Sequence, residues 1–136
     1  MSEDCLFCRI ARGELPSETV FEDERTFAFM DINPATDGHT LVIPKAHAED
    51  IWGLSDDDGV AMWRTVRRVA DAIREALNPA GMNLVQANRE AGWQEVFHFH
   101  MHVVPRYAGD GLTKPWEPRP GDPETISDIA ERLRSS

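Results

Sequence analysis

The order of elements along this 136-residue chain predicts an α+β fold. Three observations carry it. Short β-branched and aromatic runs follow one another across turn residues, one long amphipathic helix interrupts them, and the strand–helix alternation of a parallel sheet is missing. The expected architecture is an antiparallel sheet of about five strands, one long helix packed on it, and a C-terminal helix.

The first two strands are expected at 19–22 and 25–31, joined by the acidic turn Asp23-Glu24. In the second, Phe27 and Phe29 point one way and Thr26, Ala28 and Met30 the other. Asn33-Pro34 and Asp37-Gly38 mark a turn before a β-branched strand at 39–43, which Pro44 stops. Ser55 is a good helix N-cap, and Asp56, Asp57 and Asp58 suit the positive end of a helix dipole. Val60, Trp63, Val66, Ala70, Ile73 and Leu77 then recur every three or four residues, which predicts one buried stripe. Asn78-Pro79 ends that helix, because a residue before proline avoids the helical region. Strands at 82–88 and 96–106 follow, then a Gly- and Pro-rich loop at 108–121. Asp122-Pro123 starts a last amphipathic helix carrying Ile126, Ile129, Ala130 and Leu133.

Length and composition are those of one soluble domain spanning 1–136, with an N-terminal loop at 1–14 and a tail and helix at 108–136. No apolar run reaches the roughly 18 residues of a membrane span. The polar, acidic start MSEDCLFCRI lacks a secretory pattern, so the expected location is cytoplasmic. A net charge of −10 argues against a broad electrostatic grip on nucleic acid, though not against one locally bound phosphate. In a cytoplasmic chain, Cys5-Leu6-Phe7-Cys8 favours metal or redox chemistry over a structural disulfide. A redox motif of this spacing normally follows a strand, and none precedes residue 5.

The densest chemistry lies at Phe97-His98-Phe99-His100-Met101-His102-Val103-Val104. On a strand, Phe97, Phe99, Met101 and Val103 form an apolar face for the long helix, and the three imidazoles line the other. A hydrogen-bonded polar surface is one reading. A zinc shared by all three is a second, but imidazoles about 6.5–7 Å apart along a straight strand span too far for one ion. A third is a phosphate site: one imidazole attacks phosphorus while its other nitrogen is held by a carbonyl, and a neighbour donates to the phosphate oxygens. His39, at the start of its strand, is read as structural.

His98-Phe-His100-Met-His102-Val-Val104 resembles the signature of the histidine triad (HIT) superfamily of nucleotide hydrolases and transferases. Further blocks in the right order resemble its small bacterial members and the Hint nucleoside phosphoramidate hydrolases. They are Cys5-Leu-Phe-Cys8-Arg-Ile10, Gly13-Glu-Leu-Pro-Ser17, Ala28-Phe-Met-Asp-Ile32, Gly38-His-Thr-Leu-Val-Ile-Pro-Lys-Ala-His47 and Asn88. The resemblance implies a HIT-like fold and attack on the α-phosphate of nucleoside 5′-phosphoramidates or related conjugates, through a nucleotidyl-histidine intermediate. The alternatives are hydrolysis of dinucleoside polyphosphates and, in another class, a non-catalytic nucleotide- or zinc-binding module.

By the same resemblance, His100 is the nucleophile, His102 binds phosphate oxygens, and His98 supports the site, its carbonyl being the candidate to fix the His100 tautomer. Asp31 matches the ribose acceptor, with Phe29 and Ile32 near the base. Leu6, Phe7 and Ile10 match the walls of the base pocket, and Asn88, Gln94 and Val96 lie near the phosphates. Cys5, Cys8, His47 and His98 match the ligands of a structural zinc in several bacterial relatives, a donor set that suits a closed tetrahedral site. A purine nucleotide such as an AMP conjugate is the implied substrate. A symmetric homodimer through the long helix and an edge strand is implied too. Pro115-Trp116-Glu117-Pro118 resembles a tail that touches the partner's site in the Hint branch. One departure is Trp93, between Gly92 and Gln94 where the family usually reads Gly-Gln; crowding on the leaving-group side is expected.

Overall fold

The computed structural model describes residues 4–136, so the first three residues of the 1–14 segment lie outside the described residues. The elements run α1 (Leu6–Ala11), β1 (Thr19–Glu22), β2 (Thr26–Met30), β3 (Thr40–Pro44), α2 (Asp56–Leu77), β4 (Gly81–Gln86), β5 (Met101–Arg106) and α3 (Pro123–Arg134), with one 3₁₀ turn at Glu90–Gly92. The five strands form one antiparallel sheet in the order β1-β2-β3-β5-β4. This is the α+β architecture expected, with β1 and β4 at the edges.

Pairing between β2 and β3 sets Phe27 opposite Ile43, Ala28 opposite Val42 and Phe29 opposite Leu41. Side chains alternate between faces, so these pairs sort into two cores. Ala28, Val42, Phe99 and Val103 pack under α2 with Met62, Val66, Val69 and Ile73. Phe27, Phe29, Leu41 and Ile43 cluster on the opposite face with Phe7 and Ile10 of α1. Leu41 pairs with His102 across β3 and β5, which puts that imidazole on the α1 face, while Met101 packs against the α2 core.

Helix α2 starts where capping chemistry places it: Ser55 Oγ accepts the Asp58 N–H at 3.1 Å, and Asn78 ends it in the left-handed region. Its buried face is not the expected stripe. Met62, Thr65, Val66, Val69 and Ile73 are buried, whereas Val60, Trp63 and Leu77 are exposed. Apolar residues occupy more than one side of α2, and period alone does not say which side meets the sheet. Thr65 settles the rotation, its hydroxyl hydrogen-bonding the buried Thr26 hydroxyl of β2 at 2.6 Å.

Two further expectations change. Cys5 and Cys8 do not lie in a loop: Cys5 is the N-cap of α1, and Cys8 is inside it. The regular strand expected at 96–106 begins only at Met101. Residues 96–100 leave the ladder, Phe97 is exposed, and the Phe99 N–H donates to the Ala48 carbonyl at 2.6 Å instead. Gly38, before β3, is a glycine for steric reasons. Its φ is +98°, and a Cβ would stand 2.6 Å from Leu77 Cδ1 and 3.0 Å from Pro105 Cγ. No helix among the described residues is long and apolar enough to cross a membrane.

Candidate active site and metal centre

Two of the triad imidazoles, His98 and His102, belong to separate clusters. Cys5, Cys8, His47 and His98 bring their ligand atoms within 4.8 Å of one another, and so, separately, do Asp31, His39 and His102. His100 stands between the clusters, its ring centroid 5.0 Å from that of His102. Leaving the ladder at 96–100 makes this division possible.

In the first cluster the start of α1 supplies both thiols, Cys5 as its N-cap with Sγ accepting the Cys8 N–H at 3.4 Å, and Cys8 from its first turn. His98 Nδ1 lies 3.3 Å from Cys5 Sγ, 3.4 Å from Cys8 Sγ and 3.2 Å from His47 Nδ1, and Cys8 Sγ is 3.5 Å from His47 Nδ1. Bonds of about 2.0–2.3 Å around tetrahedral zinc give edges of about 3.3–3.8 Å, so the four donors are spaced as that ion needs. His98 Nε2 is 2.8 Å from the Pro44 carbonyl. A carbonyl only accepts, so Nε2 carries the proton and the Nδ1 lone pair faces the thiols, as a metal-ligating histidine requires. Burial, opposed by the Pro44 carbonyl and assisted by the neighbouring His47 and His100, pushes the His98 pKa down to about 4. The residues fit a zinc ion.

The second cluster does not. The Ala35 N–H donates to His39 Nδ1 at 2.9 Å, so the His39 proton must sit on Nε2. That Nε2–H meets His102 Nδ1 at 2.9 Å, with Asp31 Oδ2 at 3.4 Å. A protonated Nε2 has no lone pair for a metal. The arrangement orders protons instead: His39 donates to His102 Nδ1, and the His102 proton is left on Nε2 as a donor. Sequence reading took His39 as structural and missed this. The signal was its place beside Asp31 across the turn, which only the β2–β3 pairing reveals.

His100 is oriented from one side. Its Nδ1–H donates to the His98 carbonyl at 2.7 Å, so Nε2 keeps its lone pair. Burial lowers its pKa, against the opposing pull of the His98 carbonyl, Asp31 and Glu95. Burial, with His100 and His39 adding to it and Asp31 opposing, brings His102 down to about 4. Both rings are therefore neutral near pH 7. Neutral His100 is a nucleophile, and neutral His102 remains a hydrogen-bond donor through Nε2.

The base-pocket candidates are only partly assembled. Phe7 stacks edge-on against His100 at 5.1 Å, His98 at 6.0 Å and Phe29 at 5.5 Å, and Ile10 and Val96 pack in the same cluster. Leu6 is half-exposed, and Ile32 is 88% exposed. Asp31 accepts the Asn33 N–H at 2.8 Å through Oδ1, with Oδ2 on the His39 side.

Asn88 and Gln94 spend their side chains on the protein. Asn88 accepts the Ile51 N–H at 2.8 Å and exchanges hydrogen bonds with Gln86. Gln94 accepts the Arg89 N–H at 2.6 Å and donates to the Glu49 and Val96 carbonyls at 2.5 and 3.1 Å. Trp93 adopts a left-handed φ of 73°, a backbone that favours glycine, and its indole is exposed.

The HIT-domain family model matches residues 12–109. The chain is 44% identical to Protein hit of Bacillus subtilis, covering 99% of this chain and 98% of that one. It is 36% identical to the adenosine 5′-monophosphoramidase hnt1 of Schizosaccharomyces pombe, covering 96% of each. The crystal structure of a HIT family member from Bacillus subtilis overlays with a TM-score of 0.92 at 40% identity, over 98% of this chain and 96% of that one. A zinc-bound histidine triad family protein from Mycobacterium smegmatis overlays with a TM-score of 0.78 at 35% identity, over the whole of both chains. The chain belongs to the HIT family.

Proposed function

We propose that the protein is a nucleotide hydrolase or transferase that attacks the α-phosphate of nucleoside 5′-phosphoramidates or related AMP conjugates, with His100 as nucleophile. One observation carries this reading: His100 Nδ1–H is tied to the His98 carbonyl at 2.7 Å, which aims a neutral lone pair from Nε2 beside His102. In the first step the Nε2–P bond forms and the P–N or P–O bond to the leaving group breaks. The leaving group departs with a proton taken from solvent, which the later hydrolysis returns, and His102 Nε2–H steadies the phosphate oxygens as charge builds. Water then cleaves the phosphoramidate, releases AMP and returns neutral His100. Asp31 accepts from the ribose, and Leu6, Phe7, Ile10, Phe29 and Ile32 wall the base. Asn88, Gln94 and Val96 lie near the phosphates, acting partly through their backbone.

The relative named as an adenosine 5′-monophosphoramidase supports the substrate class. Zinc held by Cys5, Cys8, His47 and His98 would close a tetrahedral site and tie α1 to the catalytic segment, a structural role. A second copy would cover the exposed apolar face of α2, with Val60 and Trp63, and the edge strand β4, with Leu84 and Val85. The whole chain, 1–136, is read as one domain working in the cytoplasm.

Incubation with adenosine 5′-phosphoramidate followed by mass spectrometry should find an adenylyl group on His100. His100→Ala should show neither adduct nor turnover while its far-UV circular dichroism is unchanged. Turnover retained in that variant rejects the mechanism, and a wild-type chain that binds AMP but forms no adduct is a binding module. Faster cleavage of dinucleoside polyphosphates than of phosphoramidates would move the substrate assignment and leave the chemistry in place.

A further inference from the structure

Two parts of the chain each serve both the metal centre and the nucleotide pocket. Helix α1 carries Cys5 and Cys8 and, between and beyond them, Phe7 and Ile10 of the pocket wall. His98 offers Nδ1 to the thiols and its carbonyl to His100 Nδ1. Phe7 joins the two, its ring packed edge-on against both His98 and His100.

Helix α1 has six residues, far fewer than the roughly 12–15 an isolated helix needs to persist in water. Its place depends on what holds it from outside: the buried Phe7 and Ile10, and the ties from its thiols to His47 and His98. Residues 96–100 are similar, because they lie outside the strand ladder that secures β5.

On the reading given under Proposed function, we propose that metal at Cys5, Cys8, His47 and His98 and nucleotide beside His100 bind with positive coupling. Each ligand orders the same two segments, α1 and 96–100. Whichever binds first meets their ordering cost, and the second then binds tighter. Coupling free energy is reciprocal, so the factor by which metal tightens nucleotide equals the factor by which nucleotide tightens metal. Phe7 is the positioning residue, touching the ligand-bearing ring and the nucleophile without itself binding metal.

The test titrates the zinc-loaded full chain with a chromogenic chelator, with and without saturating AMP. AMP should tighten zinc by roughly five- to a hundredfold, the usual range of such couplings, and zinc-free protein should bind AMP more weakly by the same factor. Phe7→Ala should keep one zinc per chain while the factor falls towards one. Hydrogen exchange of the zinc-free chain should lose protection at 5–11 and 96–100 and keep it across α2. Loss across α2 as well would overturn the proposal, since the coupling would then be global folding. So would a chain that takes up no zinc. Equal zinc affinity with and without AMP, in a chain that binds AMP, removes the coupling and leaves the nucleotide reading intact. A zinc-loaded chain that does not bind AMP removes both.

Discussion

His39 Nε2 lies 2.9 Å from His102 Nδ1, and the Ala35 N–H at the far nitrogen of His39 decides which ring donates. Both groups come from chain segments 63 residues apart, joined by the pairing of β3 with β5. One backbone N–H thus sets the tautomer of two imidazoles in series. His98 follows the opposite logic, with a carbonyl at its far nitrogen and a lone pair turned to the thiols. The backbone group at the far nitrogen thus decides whether each ring presents a proton or a lone pair to its cluster.

Removing the donor should free the His102 tautomer. His39→Ala is expected to lower kcat by about 10- to 100-fold with little change in KM, the usual size of a lost outer partner that orients a functional histidine. Nitrogen-15 chemical shifts of His102 should change from one Nε2–H form to a mixture. Partial rescue by His39→Gln, whose amide can still donate, would support positioning. Unchanged shifts in His39→Ala would refute the series arrangement.

Acid should weaken the fold through His102. Burial, with His100 and His39 adding to it, holds its pKa at about 4 in the folded chain, below the ordinary value of 6.5. Between those values the unfolded chain binds more protons than the folded one, so stability rises with pH. The His102 contribution is complete above pH 6.5 and lost as pH falls towards 4. Thermal melts should therefore show Tm falling through that window, and His102→Gln should flatten the slope. An equal slope in the variant would count against the burial argument.

Zinc content follows from the donor set. Cys8 is buried among the ligand atoms, so Cys8→Ser should reduce metal from one zinc per chain to near none by plasma emission spectroscopy. Tm should fall by about 10 °C or more, since binding energy at a closed site is folding energy. Full zinc content in Cys8→Ser would exclude this centre.

Helix α2 has one buried apolar side and one exposed. Ile73 is 7% exposed inside the α2 core, so Ile73→Ala should cost about 2–5 kcal/mol in urea unfolding. Trp63 is 61% exposed, and Trp63→Ala in an isolated chain should change stability by about 0.5 kcal/mol or less. If α2 meets a second copy, Trp63→Glu should convert dimer to monomer in sedimentation velocity. A dimer that survives that charge places the contact elsewhere.

Much of the fold is legible in local pattern. Ser55, Asn78 and Asp122 bound their helices by capping chemistry that acts within four residues, and those boundaries agree with the structure. The two-faced alternation of Phe27, Ala28 and Phe29 identifies β2 because strand geometry has a period of two. The face of α2 was not legible. Val60 and Trp63 satisfy the same period as Val66 and Ile73, and the rotation is chosen by what stands opposite, with Thr65 meeting Thr26. The helical state of Cys8 was also hidden, because a six-residue helix leaves no periodic signal.

The histidine row divides in the same way. Alternation predicts that His98, His100 and His102 share a side of one strand and that a straight strand would hold them too far apart for one ion, although the regular strand begins only at Met101. Only the tertiary structure decides what each ring does. His98 turns to α1, His102 turns to His39 across β3, and His100 stands between them on the His98 carbonyl. The roles of His98 and His102 depend on groups that reach their ring nitrogens from 51 or more residues away, and local order carries no record of it.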